Sequence, residues 1–122
     1  MKVCYINSDL SNNTGAGRFC LDFTRALSQV LPELEYRVLT HKDGFLSREI
    51  WKLPLKLFEI RKVFKKYDIV HALDGWPYGF IAALCSLGLG KKIIITAIGT
   101  GAVKPLYQPI KKWLMMWAYC RA

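Results

Sequence analysis

Asn7-Ser8-Asp9-Leu10-Ser11-Asn12-Asn13-Thr14-Gly15-Ala16-Gly17-Arg18 separates two different hydrophobic patterns, and its reading decides the fold. Met1 to Ile6 ahead of it is a short apolar run with strand character. Ala16 to Leu31 behind it sets Phe19, Phe23, Ala26, Leu27 and Val30 at helical spacing. The stretch between is mostly Ser, Asn, Thr and Gly. A glycine-containing turn from strand to helix lets the backbone approach a ligand closely, and the free N–H groups of the first helical turn attract phosphate or carboxylate. An anion-binding loop is therefore the expectation. Arg18 in that first turn suits an incoming anion and also stands one turn from Asp22, a pairing worth a few tenths of a kcal/mol.

The same alternation continues outward from this loop. Leu34 to Thr40, bounded by Pro32 and by His41-Lys42-Asp43-Gly44, alternates Leu34, Tyr36 and Val38 as a strand does. Phe45 to Pro54 has no clear period and reads as a loop or short irregular helix. Leu53, Leu57, Ile60, Phe64 and Tyr67 then form one helical stripe, with Lys56, Arg61, Lys62, Lys65 and Lys66 on the rest of the surface. Asp68 to Leu73 reads as a short buried strand. Asp74 caps a helix with Pro77 in its first turn, running from Tyr78 to Leu89 and ending at glycine. Ile93 to Ile98 is an unbroken β-branched run of the kind buried on both faces of a parallel sheet. A last helix starts near Pro109 and is apolar all round from Trp113 to Cys120, so a covering partner is expected. Strand and helix alternate four times. That order predicts an α/β fold: a Rossmann-like parallel sheet of about four strands with helices on both faces, binding ligands beyond the carboxyl ends of its strands.

Composition bounds the possibilities. The 122 residues, 52% hydrophobic and 22% charged, describe one globular domain spanning 1–122. Eighteen Lys and Arg against nine Asp and Glu give a net charge of +9, which favours an anionic partner. Cys4, Cys20, Cys85 and Cys120 form no C-x-x-C pair or Cys/His cluster, and each lies in an apolar run that suits a core thiol. The sequence has no secretory signal pattern and no uninterrupted apolar span of membrane length, so a cytoplasmic address is expected.

Three strand ends carry the chemistry-bearing residues: Ser8 to Gly17, His71 to Trp76, and Thr96 to Gly101. They are expected on one rim. Gly15-Ala16-Gly17 resembles the start of a dinucleotide fingerprint, but Cys20 stands where the third glycine belongs and about eight residues separate strand from glycine, too many for that tight turn. His71 within a strand reads first as a hydrogen-bonded core histidine, and Asp74 equally as a helix cap or a functional carboxylate.

At this point the residues resemble a known family. Met1-Lys2-Val3-Cys4-Tyr5-Ile6, then Thr14-Gly15-Ala16-Gly17-Arg18-Phe19 leading into Phe23-Thr24-Arg25-Ala26-Leu27, resembles the opening of the family 4 glycosyltransferases, with their G-G-x-x-R-like loop before an L-A-x-A-L helix. Asp68-Ile69-Val70-His71-Ala72-Leu73-Asp74 is similar to that family's D-V-V-H-x-H-D strand end. Lys92-Ile93-Ile94-Ile95-Thr96-Ala97-Ile98-Gly99-Thr100 is similar to its K-x-V-x-T-x-H-G segment. The likeness covers nearly the whole chain in order. Thr14, Leu73 and Ile98 depart from the pattern, standing where it has a glycine and two histidines.

The resemblance implies the N-terminal, acceptor-side half of a retaining enzyme of the two-Rossmann-domain type, whose second, donor-binding domain and its Glu motif lie outside these residues. Gly15, Ala16, Gly17 and Arg18 would bind the donor diphosphate, while Asp74, Gly99 and Thr100 would face the acceptor sugar. Neither a metal nor a cofactor is implied beyond the nucleotide sugar that serves as donor. The implied partners are that nucleotide sugar, a glycan or lipid-linked acceptor of cell-envelope polysaccharide synthesis, and the missing domain. By themselves these residues are not expected to catalyse transfer. A nucleotide- or dinucleotide-binding domain and a non-enzymatic membrane-surface module stand as alternatives. The basic helix and the segment Lys104 to Trp117, where Lys111 and Lys112 adjoin Trp113, add peripheral contact with an anionic membrane as an expectation. Nucleic acid is not an expected partner, because the basic residues interleave with core positions and no nucleic-acid module is present.

Overall fold

Burial of one five-residue strand on both faces organises the molecule. A computed structural model describes residues 1–43 and 53–122. Strand β1 (Lys2–Ile6) is buried from Val3 to Ile6 and pairs in parallel with β2 (Glu35–Leu39) on one side and β3 (Ile69–Ala72) on the other. Strand β4 (Lys92–Ile95) adds parallel to β3, giving the order β2-β1-β3-β4. A parallel sheet needs cover on both faces, since each crossover helix lies across it. Helix α1 (Gly15–Val30) takes one face; α2 (Leu53–Phe64) and α3 (Phe80–Cys85) take the other. This is the Rossmann-like α/β architecture expected from the alternation.

The pleat divides β1 between two cores. Cys4 and Ile6 pack with Leu39, Val70 and Ala72 under Ile60 and Phe64 of α2 and Ile81, Ala82 and Cys85 of α3. Val3 and Tyr5 pack with Cys20 and Leu73, flanked by Phe23, Leu27, Leu34, Val38 and Ile69. The α2 stripe from Leu57 through Ile60 and Phe64 to Tyr67 meets the first core as its spacing predicted.

Several expectations are corrected. The buried line of α1 runs through Gly17, Cys20 and Thr24, with Phe23 and Leu27 beside it, while Phe19 and Ala26 are exposed and Val30 is 76% exposed. Small residues on this line let the helix lie close to the sheet, and Thr24 Oγ1 satisfies itself on the Cys20 carbonyl at 2.8 Å. The isoleucine run forms an edge strand, not one buried on both faces: β4 ends at Ile95 and Ile94 is 44% exposed, because α1 does not extend over it. The helix expected from Tyr78 begins as a wide turn over Gly75–Gly79 and is regular only from Phe80 to Cys85. Cys4, Cys20 and Cys85 are buried thiols, but Cys120 is exposed at the end of the last helix. Arg61, expected on the solvated face of α2, donates from one guanidinium nitrogen to the carbonyls of Cys85 and Leu87 and so closes the end of α3. Among the described residues, three short elements escaped the sequence: the tight helical turn His41–Asp43, a one-turn helix α4 (Gly99–Val103), and the tighter turn Lys104–Tyr107 that leads into α5 (Pro109–Tyr119). The loop read between Phe45 and Pro54 lies largely outside the described residues; only its last two open α2.

Packing assigns different weights to residues that look alike in sequence. Phe64 is fully buried, so Phe64→Ala is expected to cost about 3–5 kcal/mol in a urea unfolding titration. Val30→Ser, on the outward side of α1, is expected to change stability by no more than about 0.5 kcal/mol. A large loss for Val30→Ser would contradict the face assigned to α1.

Candidate functional site

Chain direction changes at β1, which connects leftward to β2 while β3 and β4 extend to the right. Loops leaving the carboxyl ends of β1 and β3 diverge at such a point and open a crevice. On the β1 side, Asn7 is fully buried and ties the loop together: its Nδ2 donates to the carbonyls of Asp9 and Ala16, each at 3.0 Å. The Asn7 Oδ1 atom is buried without a hydrogen-bond partner. Asp9 accepts from the Leu10 amide at 2.8 Å and from the Ser11 hydroxyl. The Ser11 hydroxyl, with the Leu10 amide, holds the Asp9 carboxyl below its ordinary pKa.

The helix entrance is closed by Thr14. Its Oγ1 accepts from the Gly17 N–H at 3.0 Å and its carbonyl accepts from the Arg18 N–H at 2.9 Å. This cap leaves unused the N–H groups of Gly15 and Ala16, the ones the helix itself cannot satisfy. The two glycines therefore differ in role. A Cβ on Gly17 would lie 2.5 Å from the Ser11 carbonyl oxygen, so the loop is folded down onto the helix there; Gly15 has nothing within 4 Å and borders open space. Arg18 is exposed, its Nε 4.0 Å from Asp22 Oδ2.

On the β3 side, Asp74 caps the turn that follows, its Oδ1 accepting from the Gly75 N–H at 2.7 Å. Gly101 of α4 lies directly over this carboxylate: a Cβ on Gly101 would stand 2.6 Å from Asp74 Oδ1 and 2.8 Å from Oδ2. Gly75 is equally pressed, its missing Cβ 2.7 Å from Ala102 Cα. Tyr119 of α5 donates from its hydroxyl to the Ala102 carbonyl at 3.3 Å, so the last helix holds α4 in place. Burial raises the Asp74 pKa, against the lowering effect of the Gly75 amide. Burial, with Asp74 close by, also raises the phenols of Tyr78 and Tyr119, so both are neutral donors near pH 7.

Asp74, Gly99 and Thr100 are thus brought to one rim. Gly99 takes the left-handed conformation at φ 63°, and both it and Thr100 are exposed. At the Tyr78 phenol the Ser8 side chain of the first loop acts against the raising effect of burial. Among the described residues, no hydrogen bond or ion pair links Gly15, Ala16, Gly17 or Arg18 directly to Asp74, Gly99 or Thr100. His71 lies within β3: its Nε2 is 2.7 Å from Thr96 Oγ1, and its ring packs on Tyr5 and Phe23. Burial lowers its pKa. No three His, Cys, Asp or Glu side chains among the described residues are grouped to hold a metal ion.

Sequence reasoning missed Asp9, Tyr78, Gly101 and Tyr119. The closely spaced Asp9 and Ser11 side chains were available as a signal, since short polar residues of this kind bond to one another and to nearby backbone in loops. The pairing of Gly101 with Asp74 was not, because nothing local announces it. Comparison with family models, curated proteins and solved structures gives no match.

Two measurements follow from this geometry. Gly17→Ala is expected to cost about 1–3 kcal/mol, since its methyl meets backbone, whereas Gly15→Ala should be neutral or stabilising by up to about 1 kcal/mol in thermal melts. Since the His71 pKa is lower in the folded chain than its ordinary 6.5, the unfolded chain binds the proton first on acidification. Stability is therefore full above pH 6.5 and falls as pH drops toward the folded pKa. His71→Gln, which can still pair with Thr96, should flatten that part of the pH profile of the urea midpoint.

Proposed function

We propose that these residues form the acceptor-side half of a retaining glycosyltransferase that uses a nucleotide-sugar donor in the assembly of a cell-envelope glycan or lipid-linked saccharide. The observation that carries this reading is the half-buried Asp74 carboxylate at the β3 end, roofed by Gly101 and flanked by the neutral phenols of Tyr78 and Tyr119. A carboxylate acceptor near the Tyr78 phenol suits the hydroxyl groups of a sugar, while the Tyr119 proton is held by the Ala102 carbonyl. The family resemblance of the three strand ends supports the assignment.

In this reading the N–H groups of Gly15 and Ala16, with Arg18, lie against the donor diphosphate, where the positive end of α1 stabilises the charge left when the sugar–phosphate bond breaks. Gly17 shapes the loop rather than touching the donor, since its own N–H is held by Thr14. Asp74, Gly99 and Thr100 line the acceptor side. Ile98 carries no proton-transfer group, so the role that the family gives a histidine there is not assigned to any residue of this chain. A second domain would hold the donor's nucleoside and sugar, and binding rather than turnover is the activity expected of these residues alone. The donor places the reaction in the cytoplasm.

Titration of the ¹⁵N-labelled chain with a nucleoside diphosphate tests the donor side. Amide shifts at Gly15, Ala16, Gly17 and Arg18 are expected, with the unphosphorylated nucleoside leaving them in place. Arg18→Ala should weaken the diphosphate affinity by roughly tenfold, the scale of a charge-assisted hydrogen bond. Signals that stay fixed at all four residues would sink the diphosphate assignment.

A further inference from the structure

Helix α3 packs against both α2 and α5, and large apolar side chains stand exposed on these two flanking helices. Met115 and Ala118 turn α5 inward. On its opposite side Ile110 is 76% and Trp113 78% exposed, with Met116 and the preceding Tyr107 also exposed. Leu55 and Phe58 are likewise exposed on α2. Pro109, Lys112, Trp113 and Met116 line a shallow groove of about 420 Å³.

We propose that this outer face of α5, with Tyr107 at its start, docks on an anionic phospholipid surface. Charge selects lipid over a second copy of the chain. From Gly99 to Ala122, the stretch that carries α4 and α5, there is no Asp or Glu, but there are Lys104, Lys111, Lys112 and Arg121, so two such faces repel each other while an acidic bilayer attracts both. The side chains suit the headgroup level. Trp and Tyr are enriched at that depth, and Lys112 beside the apolar groove can meet a phosphate while the groove takes the upper part of an acyl chain. Three cations already stand over aromatic rings in the same layer: Lys62 over Phe58 at 4.9 Å, Lys111 over Trp76 at 5.5 Å and Arg121 over Trp117 at 5.1 Å. No helix among the described residues is long and apolar enough to cross a membrane, and the eleven residues of α5 suit an orientation in the interface plane. The proposal rests on this surface alone and stands apart from the transferase reading.

Vesicle sedimentation of the purified chain tests it, with phosphatidylcholine alone and with phosphatidylcholine containing phosphatidylglycerol. The chain should sediment with the anionic vesicles only, and less as salt rises through the screening range. The double variant Ile110→Ser/Trp113→Ser should lose at least about tenfold in partitioning at an unchanged melting temperature, and Lys104→Gln/Lys112→Gln roughly tenfold. Brominated phosphatidylglycerol gives a readout on the unaltered chain, in which quenching of tryptophan emission is expected. Failure to sediment, equal sedimentation with neutral vesicles, or full binding by the Ile110/Trp113 variant would overturn the proposal. Unquenched tryptophan emission in the bound state would do the same. A dimer that this variant converts to monomer, without vesicle binding by the native chain, would make the face a protein interface instead.

Discussion

The structure depends on enclosing Val3-Cys4-Tyr5-Ile6 between two parallel neighbours and two helical layers. Every backbone group of a buried strand must find its partner in the ladder, and every side chain must meet apolar surface. Pairing with β2 and β3 meets the first demand. The second sends α1 to the Val3 and Tyr5 face and α2 and α3 to the Cys4 and Ile6 face. The switch point follows from the same arrangement, because the connections from β1 and β3 leave in different directions beside each other.

Close backbone approach, rather than charge, builds the rim. Gly17 lets the first loop rest on α1, Gly75 lets the turn after β3 meet α4, and Gly101 lets α4 cover the Asp74 carboxylate. Glycines that look like ligand-binding elements in the sequence thus act within the fold. Gly15 differs, since it borders open space at the positive end of a helix. The result is a carboxylate held half-buried by neighbours from two later elements. Its raised pKa is a consequence of that enclosure.

Helices of the second layer have to satisfy two environments. Their inward residues, Ile60, Phe64, Ile81 and Met115, are small in number and deeply enclosed. Their outward residues mix exposed aromatics with basic groups, and the cation–ring contacts keep charge next to apolar surface without an acidic partner. The Tyr119 hydroxyl couples the layer to the rim, since it bonds the α4 carbonyl beside Gly75.

Much of the architecture was legible because its signals are local. Alternation marked β2, the 3.6-residue period marked α2, and the Ser-Asn-Thr-Gly loop marked the crossing from β1 to α1. The sequence by itself determined the α/β class and the parallel sheet of four strands flanked by helices, since backbone propensity and hydrophobic period act over a few residues. It could not say which apolar run would be covered. Ile94 has the same local character as Tyr5 yet lies at an edge, because cover comes from helices distant in the chain. It pointed to Phe19 and Val30 as the buried face of α1, where small residues at Gly17, Cys20 and Thr24 allowed closer packing. Only the tertiary structure decided that Arg61 would close α3 and that Gly101 would roof Asp74, since both depend on contacts between residues far apart in sequence, and such contacts form only when the sheet has brought their elements together.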